Sequence, residues 1–106
     1  MIPVVDTLRA LGDPIRLTMV KKLSDGSSHT VSDLFQDLEI TRQGARKHLQ
    51  VLADADVVTL QPKGRNTEVR LEPSSLASLK SFIAGLELQW DNRLTALQDF
   101  VENSHS

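Results

Sequence analysis

The chain has 106 residues, enough for one domain with one core, and its 40% hydrophobic and 25% charged residues are ordinary for a water-soluble globular protein. It has no cysteine, which excludes disulfides, thiolate metal sites and thiol redox switches and fits an intracellular, cytoplasmic address. The net charge of −2 hides an uneven distribution: Thr41 to Arg70 carries six basic against three acidic residues, +3, and the rest of the chain sums to −5. A basic working surface on an acidic body suits phosphate binding.

The apolar run from Ile2 to Val5 is far shorter than a secretory leader or a membrane span, so neither is expected. Val4, Val5, Leu8 and Leu11 follow helical spacing, and Gly12 stops that first helix. Asp13-Pro14 restarts the chain as N-cap and first helical residue. Ile15, Leu17 or Thr18, Met19, Val20 and Leu23 continue the buried stripe. Ser24 to Ser28 is a turn cluster, after which Thr30-Val31-Ser32-Asp33 resembles a capping box leading a short third helix through Leu34, Phe35 and Leu38.

Only Glu39-Ile40 separates that helix from the next, which Thr41 caps. At about 100° per residue, Arg42, Gln43, Arg46, Lys47 and Gln50 share one arc of this helix, spanning 41–55, while Ala45, Leu49 and Leu52 fall opposite. Two helices joined by a tight turn, the second cationic, form a helix-turn-helix whose second helix suits the major groove. There Arg forks onto guanine and Gln onto adenine. Thr41, Arg42, Gln43, Arg46 and Lys47 are therefore the expected DNA contacts, and His48, at the edge of the apolar arc, is expected to pack and hydrogen-bond instead. Gly44 admits two explanations, close approach to a phosphate or a tolerated cost in helix propensity.

Val57-Val58-Thr59-Leu60 and Thr67 to Leu71 read as strands around a hairpin tip, Pro62 to Asn66, where Lys63 and Arg65 are further expected DNA contacts. The fold class is mainly α with a small β-hairpin: a winged helix-turn-helix, wing about 57–71, with long N- and C-terminal dimerisation helices. The last helix, about 74–102, would be roughly 43 Å long. A domain of this size has a radius of gyration near 13 Å, so one end of that helix must project or find a partner. Its stripe of Leu76, Leu79, Ile83, Leu86, Trp90, Leu94, Leu97 and Val101 is interrupted only by Gly85. With Leu8, the residues Leu79, Ile83, Leu86, Trp90, Leu94 and Leu97 are the expected dimer interface. Asn103 to Ser106 reads as a frayed tail, and His29 and His105 receive no role.

Leu11-Gly12-Asp13-Pro14-Ile15-Arg16, Thr30-Val31-Ser32-Asp33-Leu34, Ile40-Thr41-Arg42-Gln43, Lys47-His48-Leu49 and Gly64-Arg65 resemble, in order and spacing, the ArsR family of bacterial winged-helix repressors. Within that family, the Thr41-Arg42-Gln43 start and the Trp90-bearing last helix resemble the branch lacking a recognised metal site. Family members that sense metal through the third helix carry a Cys-Val-Cys-Glu-Leu box. Thr30 to Leu34 stand there, hydroxyls replacing both thiolates, and no histidine lies between Pro73 and Asn103 for the family's other site. Gly44, Ala45 and Arg46 replace the Ala, Val and small polar residue the pattern implies, Asp56 replaces a turn glycine, and Val69 an aromatic.

The expected function is a homodimeric, sequence-specific repressor on a pseudo-palindromic operator in double-stranded DNA, with no cofactor and no metal. The alternative is a winged-helix interaction module docking an acidic protein. No nucleophile–base pair, phosphate loop or paired-carboxylate signature is present, so no enzyme is expected.

Overall fold

The computed structural model describes residues 3–103; Ile2, His105 and the tail beyond Asn103 lie outside them. Helix α1 (Val4–Leu11) ends at Gly12, whose N–H returns to the Arg9 carbonyl. The described part of α1 is thus two turns long. Helix α2 (Pro14–Leu23) starts where the Asp13 carboxylate accepts from the N–H groups of Ile15 (2.9 Å) and Arg16 (3.1 Å). Those bonds, the Arg16 N–H foremost, hold the Asp13 carboxyl below its usual range. Met19 and Leu23 face inward, Leu17 is exposed, and the Thr18 hydroxyl bonds back to the Pro14 carbonyl.

The turn after α2 is closed by Asp25, which accepts from the Ser27 N–H (2.9 Å) and hydroxyl (2.8 Å) and lies 3.0 Å from His29 Nε2. The Ser27 N–H first, then His29 and the hydroxyl, lower the Asp25 pKa to about 2 from 3.8. A carboxyl depressed in the folded state stabilises above its unfolded pKa, and that share is lost as pH falls from 3.8 towards 2. In thermal melts across that window, Asp25→Asn is expected to flatten part of the wild-type loss in Tm; superimposable slopes would show that the turn contributes nothing.

Strand β1 (His29–Thr30) was not legible in the sequence. It runs directly into helix α3 (Val31–Phe35), which carries the expected capping box: the Asp33 N–H donates to Thr30 Oγ1 (3.1 Å) and the Thr30 N–H to the Asp33 carboxylate (3.2 Å). The helix stops at Phe35, so Leu38 packs from the following turn.

Helix α4 (Arg42–Asp54) ends in a Schellman motif: the Asp56 N–H reaches the Ala53 carbonyl and the Val57 N–H the Leu52 carbonyl, with Leu52 and Val57 both fully buried. Asp56 holds φ 55°, the left-handed conformation that glycine adopts without a Cβ penalty. Asp56→Gly is expected to stabilise by about 0.5–1 kcal/mol, raising Tm by several degrees, since the relieved clash exceeds glycine's added chain entropy. A lowered Tm would contradict this account of the turn.

Strands β2 (Val58–Lys63) and β3 (Asn66–Leu71) pair antiparallel with Lys63 opposite Asn66, so the hairpin loop is only Gly64-Arg65. Gly64, at φ 59°, takes the positive-φ position such two-residue loops need. The strands reach further towards the tip than expected, in a sheet of order β1-β3-β2. That leaves Pro62 on an edge strand, where a missing N–H is tolerated. β1 pairs His29 with Val69 on the other side, making three strands where a hairpin was expected.

The core comprises Ala10, Met19, Leu23, Leu34, Leu49, Leu52, Val57 and Val69 among others. Helix α5 (Pro73–Asn103) is tied to it at its start, where the buried Ser75 hydroxyl donates to the Ala55 carbonyl at the end of α4 (2.9 Å). Ser75 is its only buried residue among those described. Asn103, read as tail, is helical. The projecting helix stretches the molecule to 74 × 29 × 22 Å with a radius of gyration of 19.5 Å.

Candidate nucleic-acid interface

Helix α4 buries Ala45, Leu49 and Leu52 and leaves Thr41, Arg42, Gln43, Arg46, Lys47 and Gln50 exposed. Its N-terminus is set by the Thr41 hydroxyl, which accepts from the Gly44 N–H (3.0 Å). A Cβ on Gly44 would sit 3.3 Å from that hydroxyl, so a side chain there would crowd the cap. This gives glycine a local reason unconnected with any phosphate.

The exposed cations are not equivalent. The Arg42 guanidinium donates to Ser32 Oγ (2.9 Å) and lies 5.4 Å from the Phe35 ring centroid, so it braces α3 against α4. Gln43 and Lys47 point most directly away from the core. Arg46 borders a cleft of about 210 Å³ between α4 and the hairpin, lined also by Val31, Leu49, Gln50, Leu60 and Thr67. Lys63 sits 3.3 Å from Glu68 across the hairpin, whereas Arg65 occupies the tip. Arg46, Lys47 and Arg65 form no ion pair among the described residues. His48 is half-buried and its Nδ1 lies 3.2 Å from Arg16 Nη1, as a packed, hydrogen-bonded histidine should be.

Gln50 shares this surface but was not among the expected contacts, although its place in the polar arc was readable; its amide donates to Asp54 (2.8 Å). Ser32, Phe35 and Glu68 gave no signal in sequence because each acts through a side chain of another element. Among the described residues no group of three or more His, Asp or Glu could hold a metal ion, and no helix is long and apolar enough to cross a membrane.

A family model described as a helix-turn-helix domain matches residues 11–61. The HTH-type transcriptional regulator Rv2034 of Mycobacterium tuberculosis is 30% identical over 95 residues, covering 90% of this chain and 85% of that protein. An ArsR-like transcriptional regulator from Rhodococcus sp. RHA1 superposes with a TM-score of 0.76 at 25% identity, over 92% of this chain and 91% of the other. The chain belongs to the ArsR-type winged-helix regulators. A homodimeric winged helix-turn-helix DNA-binding domain from Mycobacterium bovis, 19% identical with a TM-score of 0.62 over 86% of this chain and 81% of that one, shares the fold.

This ArsR-type regulator has a second exposed surface. Leu8 on α1 and Ile83, Leu86, Trp90, Leu94 and Leu97 on α5 are all exposed, Trp90 by 61%, and Leu79 is half-buried. Phe82 and Phe100 widen the same face of α5, while Leu88 stands apart on the far side. An open groove of about 380 Å³ runs along it between Leu76, Leu79, Ile83 and Ala84, rimmed by Lys80 and Glu87.

Proposed function

We propose that this chain is a homodimeric transcriptional repressor that binds a pseudo-palindromic operator through α4 and the β2–β3 wing. The observation that carries the reading is α4 itself, an exposed face of Arg, Lys and Gln on a helix whose apolar back is locked into the core. Donors on a rigid element keep the geometry that base-edge recognition needs. Thr41, Gln43, Arg46 and Lys47 would face the groove, and Lys63 and Arg65 the phosphates beside it.

Dimerisation through α1 and α5 is supported by the continuous apolar face of α5, far larger than a solvated helix tolerates. Two copies related by a two-fold place two α4 helices on successive major grooves. Repression then follows from occupying the promoter. Selecting bound sites from random duplex DNA tests the reading: inverted repeats with centres about 10 bp apart are expected, and unrelated sequences would overturn it.

DNA binding is expected to be independent of soft metals, because hydroxyls stand where a thiolate box would. Zinc, cadmium or nickel titrated into the protein–operator complex should leave it intact; release at stoichiometric metal would reveal a site among other ligands.

A further inference from the structure

The Leu11–Arg16 segment is absorbed by neither the DNA surface nor the dimer face, yet it holds a polar junction that joins three helices. Arg16, half-buried at the start of α2, donates Nε–H to the Ala10 carbonyl (2.6 Å) and Nη2 to the Arg9 carbonyl (3.3 Å), which also accepts from the Gly12 N–H, so it caps the end of α1. Its third nitrogen, Nη1, lies 3.2 Å from Nδ1 of His48 in the middle of α4. Guanidinium has donors and no acceptor, so His48 Nδ1 must be the acceptor. At the same helix start the Asp13 carboxylate accepts from the Arg16 backbone N–H (3.1 Å).

We propose that Arg16 and His48 are positioning residues that couple the dimer helix to the recognition helix. One planar side chain spans α1, α2 and α4, and its fork fixes direction as well as distance. α1 carries the exposed Leu8 of the dimer face and α4 the DNA face, so a shift in how two copies meet moves α4 through this strut. The strut therefore sets the distance between the two recognition helices, and with it the half-site spacing that the dimer accepts. Coupling of this kind is reciprocal: operator binding strengthens the dimer by the same factor.

The inference rests on the reading as a dimeric DNA binder, so one test avoids DNA. Nitrogen NMR of the free protein should show neutral His48 with its proton on Nε2; a proton on Nδ1 would overturn the contact whatever the protein binds. The second test uses His48→Leu, which removes the acceptor, and His48→Gln, which offers another. Both are first checked by circular dichroism for wild-type helicity, and binding is measured well below either variant's melting transition. Their affinities are then measured for the selected operator, for operators with the half-sites one base pair closer or further apart, and for random duplex. His48→Leu should keep random-duplex affinity within about two-fold, lose about ten-fold on the operator and discriminate spacing less, the loss expected for one charge-assisted hydrogen bond. His48→Gln should stay within about three-fold of wild type on every DNA. Unchanged spacing preference in His48→Leu, an equal loss on random duplex, or a His48→Gln variant as impaired as His48→Leu would each overturn the strut. Wild-type protein that binds no duplex would refute the DNA-binding reading and leave the NMR result standing.

Discussion

Leu86→Ala with Trp90→Ala should break the proposed dimer into monomers, or leave a chain that no longer folds. Both side chains stand exposed on α5, by 51% and 61%, one turn apart in the middle of its apolar row. A two-fold interface uses each of them twice. A large aromatic anchor costs about 2 kcal/mol or more when truncated, so the two copies of Trp90 alone put the dissociation constant about three orders of magnitude higher, and Leu86 adds to that. The core is not touched, because neither residue is buried within one chain. Sedimentation velocity at micromolar concentration, with circular dichroism to confirm the helices, measures the result. An intact dimer would move the interface away from the middle of α5.

Arg46→Ala should cost about 1–3 kcal/mol per half-site on the selected operator and relax the base preference there. Arg42 is held back by Ser32 and Phe35, whereas Arg46, one turn on, has no ion pair among the described residues and is exposed. Lys63 differs, since the hairpin straddles the edge of the groove and the ammonium already neighbours Glu68 at 3.3 Å. Lys63→Ala should weaken all sequences about equally and reduce the salt slope by about one per protomer. Paired salt titrations on operator and scrambled DNA distinguish the roles. If Arg46→Ala weakens both DNAs equally while Lys63→Ala changes sequence preference, α4 and the wing have exchanged roles.

What was legible in the sequence was what short-range chemistry decides. Asp13-Pro14, Thr30 with Asp33, and Thr41 cap their helices within three residues, so type and spacing were enough. The 3.6-residue period gave α4 its two faces and α5 its stripe. Strand β1 escaped because its pairing partners are Val69 and Glu68, about forty residues away, and two residues show no alternation of their own. Pro62 pointed to a turn, and only the edge position of β2 explains why it lies in a strand. Within the site, exposed cations could be counted from the sequence, but not sorted. That Arg42 braces α3, that Lys63 meets Glu68 and that Arg16 reaches His48 depends on tertiary neighbours 5 to 32 residues apart.

Whether the α4 face is built for DNA is decided by the affinity of the intact protein for labelled random-sequence duplex at rising salt. A DNA reader must keep a nonspecific affinity, so binding is expected with a Kd of about 1–100 μM near physiological salt, falling linearly with salt on logarithmic axes. Replacing Arg46 and Lys47 together with alanine should weaken that binding and flatten the slope. Absence of duplex binding even at about 50 mM salt, or binding indifferent to both substitutions, would contradict the account and point to a cationic face that docks an acidic protein.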